Sequence, residues 1–510
     1  MKHAASPSNF SLLERNTRLW NTLRKPECIF LIIATLMGGL LVFLAPVAAG
    51  PDEPTHLYRV EQIARGQQPQ IVTESWDTLK LTIGHKSTNA DKSRTLTSAG
   101  GYIDSGYKEA VSSTYSRVRF HEVFSWPAWQ DPHVSAITRS GHDVPTIFTN
   151  TTGNSPLVYA PQILGYWLGR LLTPAVYQQV IVMRLCGLLA YIVGMFFVIR
   201  IIPFGKCLML AIGLLPNSLI VNSCVTADTM TIIICLLFVA KLLQLLYADS
   251  PIGTRKLISM GILCIAIGFV KMTYFPLILL SGLLILLRPE LRKRKPLAVI
   301  CGFAMAGFLC FLICYTAAAG FNSGLMFGKA TDPDAQKTFI ITHPIAYLKT
   351  VFMLILQQDV LNISSLSPII DGHSIRTTGW FTAIGLLCAV FFQNPTEKHS
   401  SVKGSVWVIS SMWGVFLIGV ALICTALYMY WDVPGNPQST GVQARYFLPI
   451  LPLLLLPIKM LFAETQPSGE PSTRLSAARA FITICIVFSL FVMLLNVCFH
   501  YYGWHPLFFL

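Results

Sequence analysis

Charge is scarce in this chain. Only 12% of its 510 residues are charged, while 53% are hydrophobic. A soluble domain carries about 25% charge, so an ordinary water-soluble fold is excluded. Acidic residues are the scarcer sign, 24 against 38 basic, which leaves a formal net charge of +14. That excess does not point to nucleic acid, because so apolar a chain keeps its basic residues in loops on one side of a bilayer. Cysteine is missing from Gly50 to Ser155, the longest polar stretch, and no CxxC pair or Cys/His cluster occurs. Neither a disulfide framework nor a zinc site is indicated. The thirteen cysteines lie mostly inside apolar runs, as at Cys186, Cys235, Cys310 and Cys424, where they pack as small hydrophobes. Internal repeats and low-complexity tracts are also lacking.

What the chain has is a series of apolar runs of about 17 to 25 residues, the length that crosses a bilayer as a helix. The pattern predicts an all-α polytopic membrane protein with about eleven transmembrane helices. The first covers 28–48. Val47-Ala48-Ala49 resembles a leader cleavage site, but the run from Cys28 to Ala49 is too long for a leader core. An uncleaved span is expected. Residues 1–27 carry Lys2, Arg15, Arg18, Arg24 and Lys25, which places them in the cytoplasm. Residues 49–177 then form a large first extracytoplasmic loop. A loop of that length needs structure of its own, so a small subdomain is expected, with a helix over 54–66 at its start.

The apolar stretch 156–173 is broken by Pro161. As a span it would put the Arg292-Lys293-Arg294-Lys295 run outside, so it is read as an amphipathic helix on the outer surface. Spans two to seven occupy 178–319, at about 178–200, 206–222, 227–247, 256–270, 273–288 and 297–318. A second outer loop covers 320–377, in which 344–358 reads as a helix dipping into the interface. Spans eight to eleven occupy 378–500, at about 378–393, 405–430, 446–463 and 479–500. Residues 501–510 end outside.

The sequence Gly50-Pro51-Asp52-Glu53-Pro54-Thr55-His56-Leu57-Tyr58-Arg59 follows the first span directly. A helix starting at Pro54 puts Asp52 at or beside its N-cap. Spacings of three and four then bring Asp52 near His56, and His56 near Arg59. The plain alternative is helix capping within an interfacial charge cluster.

Other costly groups sit at outer span ends, where ionisable residues mark function by default. Asp228 opens span four, Lys271 lies between two short spans, and Arg445 with Tyr446 opens span ten. Arg184 lies just inside span two, and His373 and Arg376 precede span eight. Each has a structural alternative: Lys271 can snorkel, Asp228 can cap its helix, and Arg184 can pair with a loop carboxylate. Arg445 followed by tyrosine at a span mouth suits a phosphate. Together these residues are what an enzyme with a lipid-linked phosphate donor needs. Cations hold the phosphate at headgroup level, and a carboxylate above it deprotonates an acceptor hydroxyl. A transporter of lipid-linked saccharides would place polar groups at mid-bilayer in paired broken repeats. A non-catalytic scaffold would not require the carboxylate pair.

Five stretches carry a resemblance: Pro51-Asp52-Glu53-Pro54-Thr55-His56, Pro156 to Pro161, Asn222 to Asp228, Lys271-Met272-Thr273-Tyr274-Phe275-Pro276, and Ala444-Arg445-Tyr446-Phe447-Leu448-Pro449. They resemble the bacterial membrane-protein family called domain of unknown function 2142, and beyond it the GT-C superfamily of integral-membrane glycosyltransferases. Ala444 stands where that resemblance leads one to expect glycine.

The resemblance implies a GT-C-like fold and a multi-pass protein of the bacterial cytoplasmic membrane with a periplasmic site. It also implies transfer of a sugar, with inversion, from a polyprenyl-phosphate-linked donor to a cell-surface glycan or its lipid-linked precursor. On this reading Asp52 is the general base, and Glu53 orients it, binds the acceptor or helps hold a metal. His56 and Arg59 flank the donor phosphate. Lys271, Arg445 and Tyr446 bind it, with Asp228 among the binding residues. Asp52 and Glu53, as adjacent carboxylates, can also recruit Mg2+ or Mn2+.

Overall fold

The computed structural model describes residues 22–75, 95–319, 331–357, 369–370, 373–374, 376–392, 405–437, 441–463 and 472–503. It is mostly helical. Helix α1 (Pro26–Leu44) starts with Pro26 in its first turn, where a missing N–H costs nothing. It stops at Ala45, which precedes Pro46 and takes the extended backbone that such a residue prefers.

Helix α2 (Glu53–Ala64) follows a tight corner and is buried along most of its length. Strands β1 (Gln70–Ser75), β2 (Thr95–Asp104) and β3 (Asp143–Ile147) form an antiparallel sheet with β2 in the centre. Gln62 Nε2 donates to the Gly100 carbonyl at 3.0 Å, which ties α2 to the central strand. Helix α3 (Ser105–Arg119) leaves β2 under an Asp104 cap that accepts from Tyr107 N at 3.0 Å. The expected folded subdomain is thus present, but its core includes a sheet. The all-α expectation is corrected to mostly helical, because β2 pairs with strands on both sides.

Helix α4 (Ala160–Leu172) has 13 residues, about 20 Å, too short to cross a bilayer. It lies against α5 (Val176–Ile201) through small residues: a Cβ on Gly165 would stand 2.5 Å from Met183 Cα. Leu164, Trp167 and Leu171 face outward and exposed, as an interfacial helix requires. Helices α6 (Lys206–Gly213) and α7 (Pro216–Asn222) split the expected span 206–222, because Pro216 cannot continue the hydrogen-bond ladder of α6.

Helix α8 (Asp228–Leu246) is unbroken and is followed by α9 (Thr254–Phe269). Residues Met272–Ser281 then wind as a 3-10 helix around Pro276 before α10 (Gly282–Leu287). The remaining elements are α11 (Arg294–Ala319), α12 (Pro333–Thr342), α13 (Pro344–Gln357), α14 (Arg376–Phe391), α15 (Ser405–Trp431), α16 (Leu451–Ala463) and α17 (Ser472–Tyr502).

Among the described residues, six helices are long and apolar enough to cross a membrane: those at α1, α5, α8, α11, α15 and α17. The pair α12–α13, bent by 108°, makes a seventh if counted as one broken span. Met272–Leu287, Gly379–Phe391 and Leu451–Phe462 are apolar but shorter. Hydropathy alone counts such segments as spans, whereas proline breaks and short lengths set them apart.

Candidate functional site

Helices α1 and α9 end, and α8 and α16 begin, at one end of the bundle. The corner after α1 shapes the site there. Gly50 has no room for a side chain, since its Cβ would meet Cys224 Sγ at 2.5 Å. Asp52 takes a left-handed backbone, φ 57°, which aspartate tolerates better than most residues. Its carbonyl accepts from Thr55 N and His56 N, both at 3.1 Å, and so starts α2. Its carboxylate caps nothing. It meets the Arg445 guanidinium instead, in an ion pair between Oδ2 and Nη2.

Arg445 sits in a 3-10 turn, Ala444–Phe447, ahead of α16. Nη1 also donates to the Pro51 carbonyl at 2.9 Å, and Nη2 to the Tyr446 hydroxyl at 3.1 Å. Asp228 opens α8 and likewise does not cap it. Its carboxylate pairs with Lys271 Nζ and lies 3.4 Å from Arg445 Nη1. Lys271 therefore does not simply snorkel. Both cations stand over the Tyr446 ring, Lys271 Nζ at 5.1 Å and Arg445 Cζ at 5.0 Å from its centroid. Tyr274 donates its hydroxyl to the Tyr446 carbonyl at 2.7 Å and fixes that turn.

Five residues from four distant segments thus converge: Asp52, Asp228, Lys271, Arg445 and Tyr446. Two carboxylates balance two cations. Side-chain exposure separates them: Asp52 at 30% and Lys271 at 21% reach open space, while Asp228 at 4% and Arg445 at 2% form the floor. Buried Asp228 Oδ2 and Arg445 Nε have no hydrogen-bond partner.

His56 borders the cluster. Its Nδ1 lies 2.6 Å from the Tyr159 hydroxyl, which accepts from Asn154 Nδ2 at 3.0 Å. The Tyr159 hydroxyl thus joins His56 to Asn154, and the bond between Nδ1 and the hydroxyl fixes the orientation of the imidazole ring. Burial pushes the His56 pKa down to about 3, and the Lys271 charge adds to the fall. Burial likewise pushes the Tyr159 phenol up. Tyr159 and Asn154 were not singled out in the sequence; the only signal was tyrosine inside the Pro156–Pro161 stretch.

Two expected site residues point elsewhere. Arg59 donates to Gln62 Oε1 at 2.5 Å and to the Asn154 carbonyl at 3.1 Å, so it braces the subdomain. Glu53 is fully buried against Arg184, which contacts Oε1 at 2.7 Å and Oε2 at 2.5 Å. Val225 N and Gly50 N donate to the same two oxygens. The catalytic, acceptor-binding and metal roles expected of Glu53 are corrected accordingly, since its oxygens are already taken. Asp52 and Glu53 do not form a two-carboxylate cation site, and no group of three His, Cys, Asp or Glu side chains placed to hold a metal occurs among the described residues. The side chains of His373 and Arg376 lie outside the described residues.

No curated protein and no solved structure matches the chain. One family model does, over residues 35–454, and it takes in all eight residues expected at the site. The chain therefore belongs to the family described as predicted membrane protein, domain of unknown function 2142.

Proposed function

We propose that this chain is an inverting GT-C-type glycosyltransferase. It moves a sugar from a polyprenyl-phosphate-linked donor to a periplasmic cell-surface glycan or its lipid-linked precursor. The observation that carries this reading is the pairing of the most exposed acid of the cluster, Asp52, with Arg445 at the mouth of the helix bundle.

The donor phosphate takes the place of the Asp52 carboxylate on Arg445, with Lys271 as its second cation. Asp228 stays beneath and holds both cations in place. The Asp52 carboxylate, released from its pair, accepts the proton of the acceptor hydroxyl. The acceptor oxygen then bonds to the anomeric carbon as the carbon–oxygen bond to phosphate breaks. Polyprenyl phosphate leaves as the anion, held by Arg445 and Lys271. His56, neutral, serves as a hydrogen-bonding group rather than as a charge. Glu53 and Arg184 hold the corner that presents Asp52, which makes them positioning residues.

The test uses the purified chain in liposomes with a polyprenyl-phosphate sugar and a lipid-linked acceptor. A new glycosidic bond is expected with the wild type and is lost with Asp52→Asn. Movement of the lipid-linked saccharide across the bilayer without bond formation would overturn the enzyme reading, and equal product from the two proteins would overturn the assignment of Asp52 as the base.

A further inference from the structure

At the opposite end of the bundle from Asp52, five helices surround a cavity of about 2100 Å³. The starts of α1, α9 and α17 and the ends of α5 and α8 form its walls. Each of these helices has its other end near the Asp52 cluster or the corner that carries it. The Tyr502 hydroxyl, for example, donates to the Leu44 carbonyl at 2.8 Å. The 19 residues of α1 set the two sites roughly 28 Å apart, close to the thickness of a bilayer core.

The lining divides into two zones. Six cations face the cavity, Arg24, Lys25, Arg200, Lys206, Lys256 and Arg479, against two acids, Glu27 and Asp249. Arg479 Nε is buried and has no hydrogen-bond partner. The remaining wall is largely apolar and includes Ile484, Phe488 and Phe491, all exposed. A small anion would use the first zone only. The space also exceeds the about 300–1,000 Å³ that suits a compact ligand.

We infer that this cavity binds an anionic phospholipid from the leaflet opposite the Asp52 site. Its phosphate sits among Arg200, Lys256 and Arg479, and its acyl chains run along Phe488 and Phe491. Basic pockets between membrane helices hold anionic headgroups in this way. Residues 1–21, which precede the lining in sequence, carry Lys2, Arg15 and Arg18 against Glu14 alone and would not neutralise it. Residues 464–471 carry Glu464 and Glu470 and are the rival occupant. The inference does not rest on the transferase reading.

The test is lipid retention by the full chain, read by native mass spectrometry after purification in detergent with phosphatidylglycerol or phosphatidylcholine. The wild type is expected to retain phosphatidylglycerol roughly tenfold over phosphatidylcholine. Arg200→Gln with Arg479→Gln should abolish that preference, leaving phosphatidylcholine retention and the melting temperature in phosphatidylcholine unchanged. Equal phosphatidylglycerol retention by the double variant overturns the proposal. So does displacement of the lipid by inorganic phosphate, which would mark a site for free anions. Retention seen only with Glu464→Gln and Glu470→Gln would assign the cavity to the chain's own acidic segment and likewise overturn it.

Discussion

Glu53 and Arg184 close on each other, both fully buried and 131 positions apart in the chain. Asp52, one residue before Glu53, turns the other way and meets Arg445 across 393 positions. The left-handed backbone at Asp52 separates the two side chains. One carboxylate is thereby spent on the corner between α1 and α2, and its neighbour is presented to open space.

Substitutions at the two positions should therefore fail differently. Asp52→Asn leaves Arg445 its bonds to Pro51 and Tyr446 and its contact with Asp228, so it should cost about 1 kcal/mol or less. On the transferase reading it lowers turnover roughly 10²–10⁴-fold. Glu53→Gln strands a buried guanidinium and should cost about 3–5 kcal/mol. Melting temperatures of the purified proteins, with product formation measured below both, separate the cases. A Glu53→Gln protein as stable as the wild type would refute the assignment of Glu53 to the corner.

The pairing itself can be measured. Glu53→Leu and Arg184→Met should each destabilise strongly, because each leaves one charge buried alone. The double variant removes both and should recover part of the loss, with a coupling of about 0.5–3 kcal/mol. Additive losses in a denaturation cycle would mean that the two side chains do not depend on each other.

The sequence made the Asp52–Glu53 motif conspicuous, because two acids follow a span immediately. Its division of labour was not legible, since that depends on Arg184 from α5 and on the Val225 N–H. Asp228, Lys271 and Arg445 were traceable to one end of the bundle by following helices up and down. That Asp228 would sit between the two cations required coordinates. Arg59 misled because helical spacing places it near His56, while Gln62 and Asn154 compete for its guanidinium. Apolar runs located most helices well. They did not reveal that Pro276 turns Met272–Ser281 into a 3-10 helix, or that β2 would find partners on both sides.

His56 should make stability depend on pH in the acid range. Its folded pKa lies near 3, whereas an unfolded imidazole titrates near 6.5. Above about 6.5 neither state binds the proton and the His56 contribution is complete. As pH falls below that value the unfolded state takes up the proton first, so stability drops until the folded pKa is reached. Between pH 7 and 5 the loss from this residue is about 2 kcal/mol. His56→Gln should flatten the corresponding part of the stability–pH curve whatever its effect at pH 7. Parallel curves for the two proteins would contradict a neutral, buried His56.

Arg445→Lys tests what the guanidinium shape supplies beyond its charge. The ammonium keeps a positive partner for Asp52 and Asp228 but gives up hydrogen bonds of a buried guanidinium, so folding should be weakened by about 1–3 kcal/mol. Arg445 reaches the Pro51 carbonyl from Nη1 and the Tyr446 hydroxyl and Asp52 from Nη2, a spread over two nitrogens that a single ammonium nitrogen lacks. A planar fork also grips a phosphate through two parallel N–H bonds, which a single ammonium does not reproduce. On the transferase reading the KM for the polyprenyl-phosphate donor should rise roughly tenfold, with kcat less affected. Fixing the acceptor at saturation and varying the donor isolates that term. An unchanged donor KM would mean that Arg445 serves only to anchor Asp52, and the donor phosphate would then have to be held elsewhere.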